Sequence, residues 1–349
     1  MNILARDPQT RGATRASPTT ATAVLRVSVV VPTYRRPALL RRCLAALIEQ
    51  DIDPATYEII VADDAPDDAT LELVRSFDAP RWMKNTPRPR VRYVAVHDTQ
   101  GPAGARNAGW RSANAPIIAF TDDDTVPEPN WLSEGLAALT DDIVAASGAI
   151  AMDVPINPTD YERDAARLAE AEFATANCFV RRNALAAIDG FDERFTSAWR
   201  EDTDLQFALM EIGRLGKAPM AVVRHPIRPA PWGVSLSQQR KIQFDALLYR
   251  KHPDLYRQRI RRAPRWDYYA TVAALVMGVG AAIAGEAVLA AMAFGAWVVL
   301  TTWFCLRRLR GTSHEWSHVV EMIVTSISIP PLACFWRLVG ALRWRTFLF

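Results

Sequence analysis

The 349-residue sequence predicts an α/β fold built on a doubly wound, mainly parallel sheet, with an apolar helical tail behind it. Three observations carry that expectation. Short β-branched runs alternate with helical segments from residue 27 onward. The predicted strands end in acids, so carboxylates collect at one sheet edge, where open α/β sheets bind ligands. Residues 268–304 are almost wholly apolar, broken mainly by Glu286.

Each element has a local cause. Val27 to Val31 is a β-branched strand, stopped by Pro32-Thr33-Tyr34-Arg35-Arg36-Pro37, which opens a helix from about Ala38 to Gln50. Tyr57 to Ala62 is the second strand and ends in Asp63-Asp64. Asp67, Asp68 and Thr70 then sit where acids suit a helix start. Val91 to Val96 is a third strand. Gly101-Pro102-Ala103-Gly104 breaks the chain before a helix from about Ala105 to Ala113. Ile117 to Phe120 is the fourth strand and delivers Asp122-Asp123-Asp124. Right-handed crossovers then make the sheet mainly parallel.

Ile143 to Ile150 is the next expected strand, and Asp153 to Asp160 a Pro- and Asn-rich loop. Phe173 to Val180 leads to Arg181-Arg182. Ala184 to Ile188 is a helical turn closed by Asp189-Gly190. Glu201-Asp202-Thr203-Asp204 opens a helix expected to reach Arg214 and stop at Gly216. Gln238 to Tyr249 reads as one basic amphipathic helix.

Composition narrows the function. Half the residues are hydrophobic and the formal net charge is +3. The Arg clusters at 261–262, 307–310 and 343–345 flank apolar segments, so they suit anionic headgroups rather than nucleic acid. Cys43, Cys178, Cys305 and Cys334 have neither metal-site spacing nor a disulfide framework, which fits a reducing setting. Met1 to Ala23 is polar, lacks the apolar core of a signal peptide, and reads as a disordered tail over about residues 1–25.

Three adjacent carboxylates repel, and burying them uncompensated is costly. Mg²⁺ or Mn²⁺ would relieve both problems and hold a substrate's phosphates. A solvated acidic turn is the bland alternative. Group transfer from a phosphate also needs a base, which Glu201-Asp202 can supply at a helix N-terminus. Simple capping by Glu201, Asp202 and Asp204 explains the same pattern.

The sequence resembles a family 2 glycosyltransferase of GT-A fold. The matching residues are Val29-Val30-Val31-Pro32-Thr33-Tyr34-Arg35-Arg36, Asp63-Asp64, Gly104-Ala105-Arg106-Asn107-Ala108-Gly109, Phe120 to Asp124, Asp189-Gly190-Phe191-Asp192-Glu193 and Glu201 to Leu205. They cover residues 26 to 230, within an expected catalytic domain of residues 26–260. The resemblance implies an inverting enzyme that uses a nucleotide-diphosphate sugar and Mn²⁺ or Mg²⁺. It implies nucleotide binding by Pro32, Thr33, Tyr34, Arg35, Asp63, Arg106, Asp122 and Asp123, with Asp63 at the base. Asp124 would be the main metal ligand, joined by Asp122 and His225, and Asp202 the general base. A structural role for His225 stays open. Glu201, Trp199, Trp232 and Arg240 are candidate acceptor or diphosphate contacts, as are Arg228 and Lys241; packing and solvent exposure are their alternatives. Gln239 to Phe244 matches the Gln-x-x-Arg-Trp signature of processive synthases only loosely, which counts against a polymer-extruding enzyme.

Residues 261–349 form the expected membrane region. Tyr268 to Phe304 accommodates two short spanning helices that meet near Gly285-Glu286, with both ends on the Arg-rich side. One long tilted helix would bury Glu286 at a substantial cost. Residues 319–336 are apolar but carry Glu321 and Pro330-Pro331, so a re-entrant or interface-lying segment is expected there. A multi-pass inner-membrane enzyme with a cytoplasmic catalytic domain follows, with a lipid-linked or membrane-delivered acceptor. A nucleotidyltransferase is the rival reading, but it would bring a Gly-rich loop with a Lys where Pro32 to Arg36 stand. A non-catalytic membrane scaffold is the third.

Overall fold

The computed structural model describes residues 24–78, 88–99 and 101–347. The expected disordered tail falls almost wholly outside them. The strands are β1 (Val27–Thr33), β2 (Tyr57–Asp63), β3 (Arg90–Ala95), β4 (Ile117–Thr121), β5 (Val126–Pro127), β6 (Ile143–Ala151), β7 (Asn177–Arg181) and β8 (Arg214–Arg224). They form one sheet in the order β3-β2-β1-β4-β7-β6-β8-β5. The first half is parallel, as expected: β1 pairs with β2 and β4, and β2 with β3. The second half departs from the parallel expectation only in part, since β8 still pairs parallel with β6. Strand β7 runs antiparallel to β4 and β6, and β5 antiparallel to β8, so the sheet is mixed.

Alternation along β1 builds two core layers. Val27, Val29 and Val31 face helix α1 (Pro37–Leu47) with its Leu40, Leu44 and Leu47. Val30 faces the other layer, with Phe120, Leu205 and Leu209. Helix α2 (Asp68–Phe77) starts on Asp67, whose side chain accepts from Thr70 N at 2.7 Å. Helix α3 (Pro102–Arg111) can approach β1 because Gly109 has no side chain: a Cβ there would stand 2.4 Å from Val30 Cγ1. Helices α4 (Trp131–Ala137), α5 (Asp160–Ala166), α6 (Arg182–Ala187) and α7 (Glu201–Ile212) complete the packing of this part. Within it α4 and α5 went unforeseen, although Thr159 and Glu162 form a capping box at the start of α5.

Two expected boundaries move. Helix α7 ends at Ile212, not Arg214, and Gly216 lies inside β8. Pairing with β6 draws residues 214–224 into the sheet, and local helical preference loses to that ladder. The single helix expected over 238–249 is three pieces: α8 (Val234–Gln238), a 3-10 turn at Gln239–Ile242, and α9 (Gln243–Lys251). A short turn, α10 (Pro253–Leu255), follows.

The tail forms α11 (Trp266–Ile283), α12 (Ala287–Leu309) and α13 (Trp316–Arg343), each long and apolar enough to cross a membrane. The first two make a hairpin turning at Gly285, at φ +79°, as expected. The third is one unbroken helix, so no re-entrant turn exists there. Pro330 and Pro331 remove backbone donors without ending it.

Candidate active site

Strands β1, β2 and β4 end side by side, and their loops line a cleft of ≈ 800 Å³. Pro32, Thr33, Tyr34, Arg35, Arg106, Asp122, Asp123 and Asp124 all face it, joined by Arg36, Asp64 and Arg228. Backbone geometry sharpens the first loop. Arg35 adopts φ +53°, and Pro37 then starts α1.

The three aspartates are held in different ways. Asp123 is buried and accepts from Thr33 Oγ1 at 2.8 Å and Arg36 Nη1 at 3.4 Å. Burial pushes its carboxyl up to about 6 despite those partners, and Asp124 and Asp122 add to the rise. Asp122 pairs with Arg106 Nη2 at 2.8 Å. Asp124 has His225 Nε2 3.5 Å from one oxygen and Arg228 Nε 3.1 Å from the other. That second oxygen, buried, accepts no hydrogen bond, so the arginine is near it without being aligned.

Asp122, Asp124 and His225 each offer a ligand atom within 4.8 Å of the others. Two carboxylate oxygens and one imidazole nitrogen are a donor set for a divalent cation. The Asp124 oxygen that accepts no hydrogen bond among the described residues fits that use.

Arg106 joins this cluster to the second acidic motif. Its guanidinium is buried, stacks on Phe191 with 5.7 Å to the ring centroid, and donates to Asp122 and to Glu201 Oε1, the latter at 3.3 Å. Glu201 is buried with its other oxygen unpaired. Burial, with Asp202 beside it, pushes its carboxyl up to about 7. Asp202 is half-buried, accepts from Thr203 N at 2.7 Å, and is likewise raised by burial.

The entry to α7 is built, not merely capped. Arg200 takes φ +75°, strained for a side-chain-bearing residue. Its Nε sits 2.7 Å from Asp245 Oδ1, and its guanidinium lies over the Trp199 ring. Trp199 Nε1 donates to the same Asp245 oxygen at 3.2 Å, and Tyr256 OH to the other at 3.3 Å. Asp245 was not foreseen. A lone acid inside Phe244-Asp245-Ala246-Leu247-Leu248 was the available signal, because a buried charge needs a partner.

Other foreseen residues lie away from the cleft. Asp63 points into the sheet, where Tyr93 OH and Ala65 N hold it at 2.9 and 3.1 Å; its neighbour Asp64 faces the cleft and accepts from Gly101 N. Trp232 rests on α13, its Nε1 3.4 Å from Ser317 O. Arg240 stacks over Trp336. Lys241 reaches Ala198 O, beside the cleft.

Residues 28–192 match the family model for Glycosyl transferase family 2. Validoxylamine A glucosyltransferase of Streptomyces hygroscopicus subsp. limoneus is 28% identical over 276 residues, which is 66% of this chain and 57% of that protein. Glycosyltransferase AglE of Haloferax volcanii is 26% identical over 62% of this chain and 71% of its own length. Two validoxylamine relatives are thus spanned over only 57% and 61% of their lengths. Mannosyltransferase PcManGT from Pyrobaculum calidifontis, in complex with GDP-Man and Mn²⁺, superposes with a TM-score of 0.52 over 93% of this chain and 88% of that one, at 18% identity. That likeness concerns the fold, which is GT-A.

Proposed function

We propose, from the match of residues 28–192 to the Glycosyl transferase family 2 model, an inverting, metal-dependent transfer from a nucleotide-diphosphate sugar to a membrane-held hydroxyl. One observation carries the reading: buried Arg106 ties Asp122, in the donor cleft, to Glu201, beside Asp202. On this reading Arg106 would couple the donor cleft to the acceptor's base, which lies behind it rather than in the cleft lining.

The Pro32 to Arg36 loop and Asp64, which line the cleft, would surround the nucleoside end, and Arg228 would meet the diphosphate. Asp122, Asp124 and His225 would hold Mn²⁺ or Mg²⁺, and the imidazole favours Mn²⁺. Such a cation neutralises charge on the departing diphosphate. Asp202 takes the proton of the acceptor hydroxyl. The oxygen bonds to the anomeric carbon on the face opposite the diphosphate as that carbon–oxygen bond breaks. Burial raises the basicity of the Glu201–Asp202 pair, which suits proton capture near neutrality. The apolar tail supports an acceptor that is lipid-linked or delivered at the membrane, with the transferase domain on the cytoplasmic, Arg-rich side.

The test is a screen of the purified full chain against UDP-, GDP- and dTDP-sugars with Mn²⁺ or Mg²⁺, with and without membrane lipid extract. Release of nucleoside diphosphate that Asp202→Asn abolishes, while donor binding persists, is the expected result. No turnover of any donor under any of these conditions overturns the reading.

A further inference from the structure

We infer that α13 does not cross the bilayer but lies flat in its headgroup region, as the floor on which the active-site loop rests. This builds on the membrane reading above. Among the described residues the hairpin α11–α12 alone then spans.

Contacts along α13 exclude a crossing. Near its start, Ser317 O accepts from Trp232, and Glu321 Oε1 accepts from Gly233 N at 2.7 Å. In its middle, Thr325 and Ser326 accept from Arg308, which also holds Asp160. Towards its end, Trp336 carries Arg240, Gly340 abuts the backbone of Gln243, and Arg343 donates to the Gln243 side chain at 3.1 Å. Residues 317 and 343 are about 39 Å apart along a helix. A spanning helix would put one of these ends on the far side of the membrane, away from the domain that both ends touch.

The faces of α13 agree. Its buried residues, among them Met322, Ile329, Ala333 and Gly340, fall on one side. Trp316, Ile323, Ile327, Phe335, Leu338 and Leu342 are exposed on the opposite side, within a sector of about 120° at 100° per residue. The charged residues of the helix, Glu321, Arg337 and Arg343, lie outside that sector. A long helix with an uncharged apolar outer face, seated on its own domain, matches interfacial rather than spanning geometry. The occupant is a lipid surface because the stripe adjoins the hairpin: α13 packs on both α11 and α12. Exposed Trp266 and Trp303 at the hairpin's base mark the interfacial level.

The consequence is positional. Glu321 holds the loop that carries Arg228 to Asp124, so the cleft mouth sits beside the headgroups. An acceptor alcohol anchored in lipid then reaches the site without leaving the bilayer.

The test uses the full chain in inverted membrane vesicles, with Cys334→Ala and single cysteines introduced as Asp141→Cys, Glu286→Cys, Glu315→Cys or Arg345→Cys, probed with a membrane-impermeant maleimide. Labelling at 141, 315 and 345 without detergent, and at 286 only with it, is expected. Labelling at 345 or 315 only with detergent overturns the flat helix while leaving the membrane reading intact. Release of the chain by alkaline carbonate overturns the membrane reading and this inference together. A fluorophore at Ile327→Cys or Leu338→Cys should be quenched at least twofold more by lipids brominated near the headgroup than by lipids brominated deep in the tails. Crosslinking of Leu338→Cys to a second copy without such quenching replaces lipid with self-association and overturns the proposal.

Discussion

Two groups of acids in this molecule look alike in sequence and behave differently in the fold. Asp192 and Asp204 meet a complete set of polar partners. Lys251 Nζ lies 2.9 Å from Asp192 and 2.6 Å from Asp204, His252 Nε2 lies 3.2 Å from Asp204, and Arg194 clamps Asp192. Burial alone would raise Asp192, but Arg194 and Lys251 outweigh it and hold that carboxyl well below the usual range. Asp122 to Asp124 are compensated incompletely. Arg36 and Arg228 are partly exposed and stand at 3.4 and 3.1 Å, Asp123 stays raised, and one Asp124 oxygen is unbonded. Acids neutralised from within hold α7 and α9 together. Acids left short of positive charge are suited to a cation from outside.

The largest expected contrast tests that difference directly. Asp124→Asn should lower turnover by about 10³-fold, the scale of losing charge stabilisation at the leaving group, and weaken Mn²⁺ binding by calorimetry without shifting the unfolding midpoint downward. Asp204→Asn should leave Mn²⁺ binding intact and cost about 3 kcal/mol of stability, because Lys251 and His252 lose their buried partner. Equal effects on metal binding from the two variants would erase the distinction.

Asp202→Asn should reduce kcat by about 10²- to 10⁴-fold with nucleotide affinity unchanged, the range for losing a positioned base. An unchanged kcat would move the base elsewhere.

The pH profile should separate the groups again. A raised carboxyl gains its basic form as pH rises, so kcat/KM should climb with pH as Asp202, raised by burial, deprotonates beside Glu201, itself pushed up to about 7. Stability has the opposite sign. The native state keeps a proton that the unfolded chain releases near 4.5, so stability falls from there to about 7, by at most about 1.4 kcal/mol per pH unit. Glu201→Gln should flatten that stability slope. A slope unaltered in this variant would assign the proton to another site.

The smallest expected effect lies at the loop. Glu321→Leu removes an acceptor worth about 1–2 kcal/mol, and should raise the donor KM several-fold while vesicle binding is unchanged. An unaltered KM would show that the tether to α13 does not position Arg228.

Much of the donor half was legible from residue order. A β-branched run such as Val27 to Val31 buries itself on both faces, and Pro37 can only open a helix, so β1 and α1 followed from local chemistry. The chain's glycines and acids likewise marked where β2 and β4 deliver Asp64 and Asp122 to Asp124. The acceptor half was not legible in the same way. Nothing local says that residues 214–224 pair with β6, and even in the donor half nothing local says that Asp63 turns to Tyr93 while Asp64 faces the cleft. Helix α13 shows the division most clearly. Its composition left a re-entrant and an interface-lying segment both open, and only its seat on α9 and the Gln239–Ile242 turn reveals which face is free. The sequence by itself determined the sheet's parallel half, the acidic motifs and the apolar hairpin, because each depends on neighbours a few residues away. The tertiary structure decided which acids are neutralised, how Arg106 joins two motifs, and where α13 lies, because each depends on charges and surfaces brought together from distant parts of the chain.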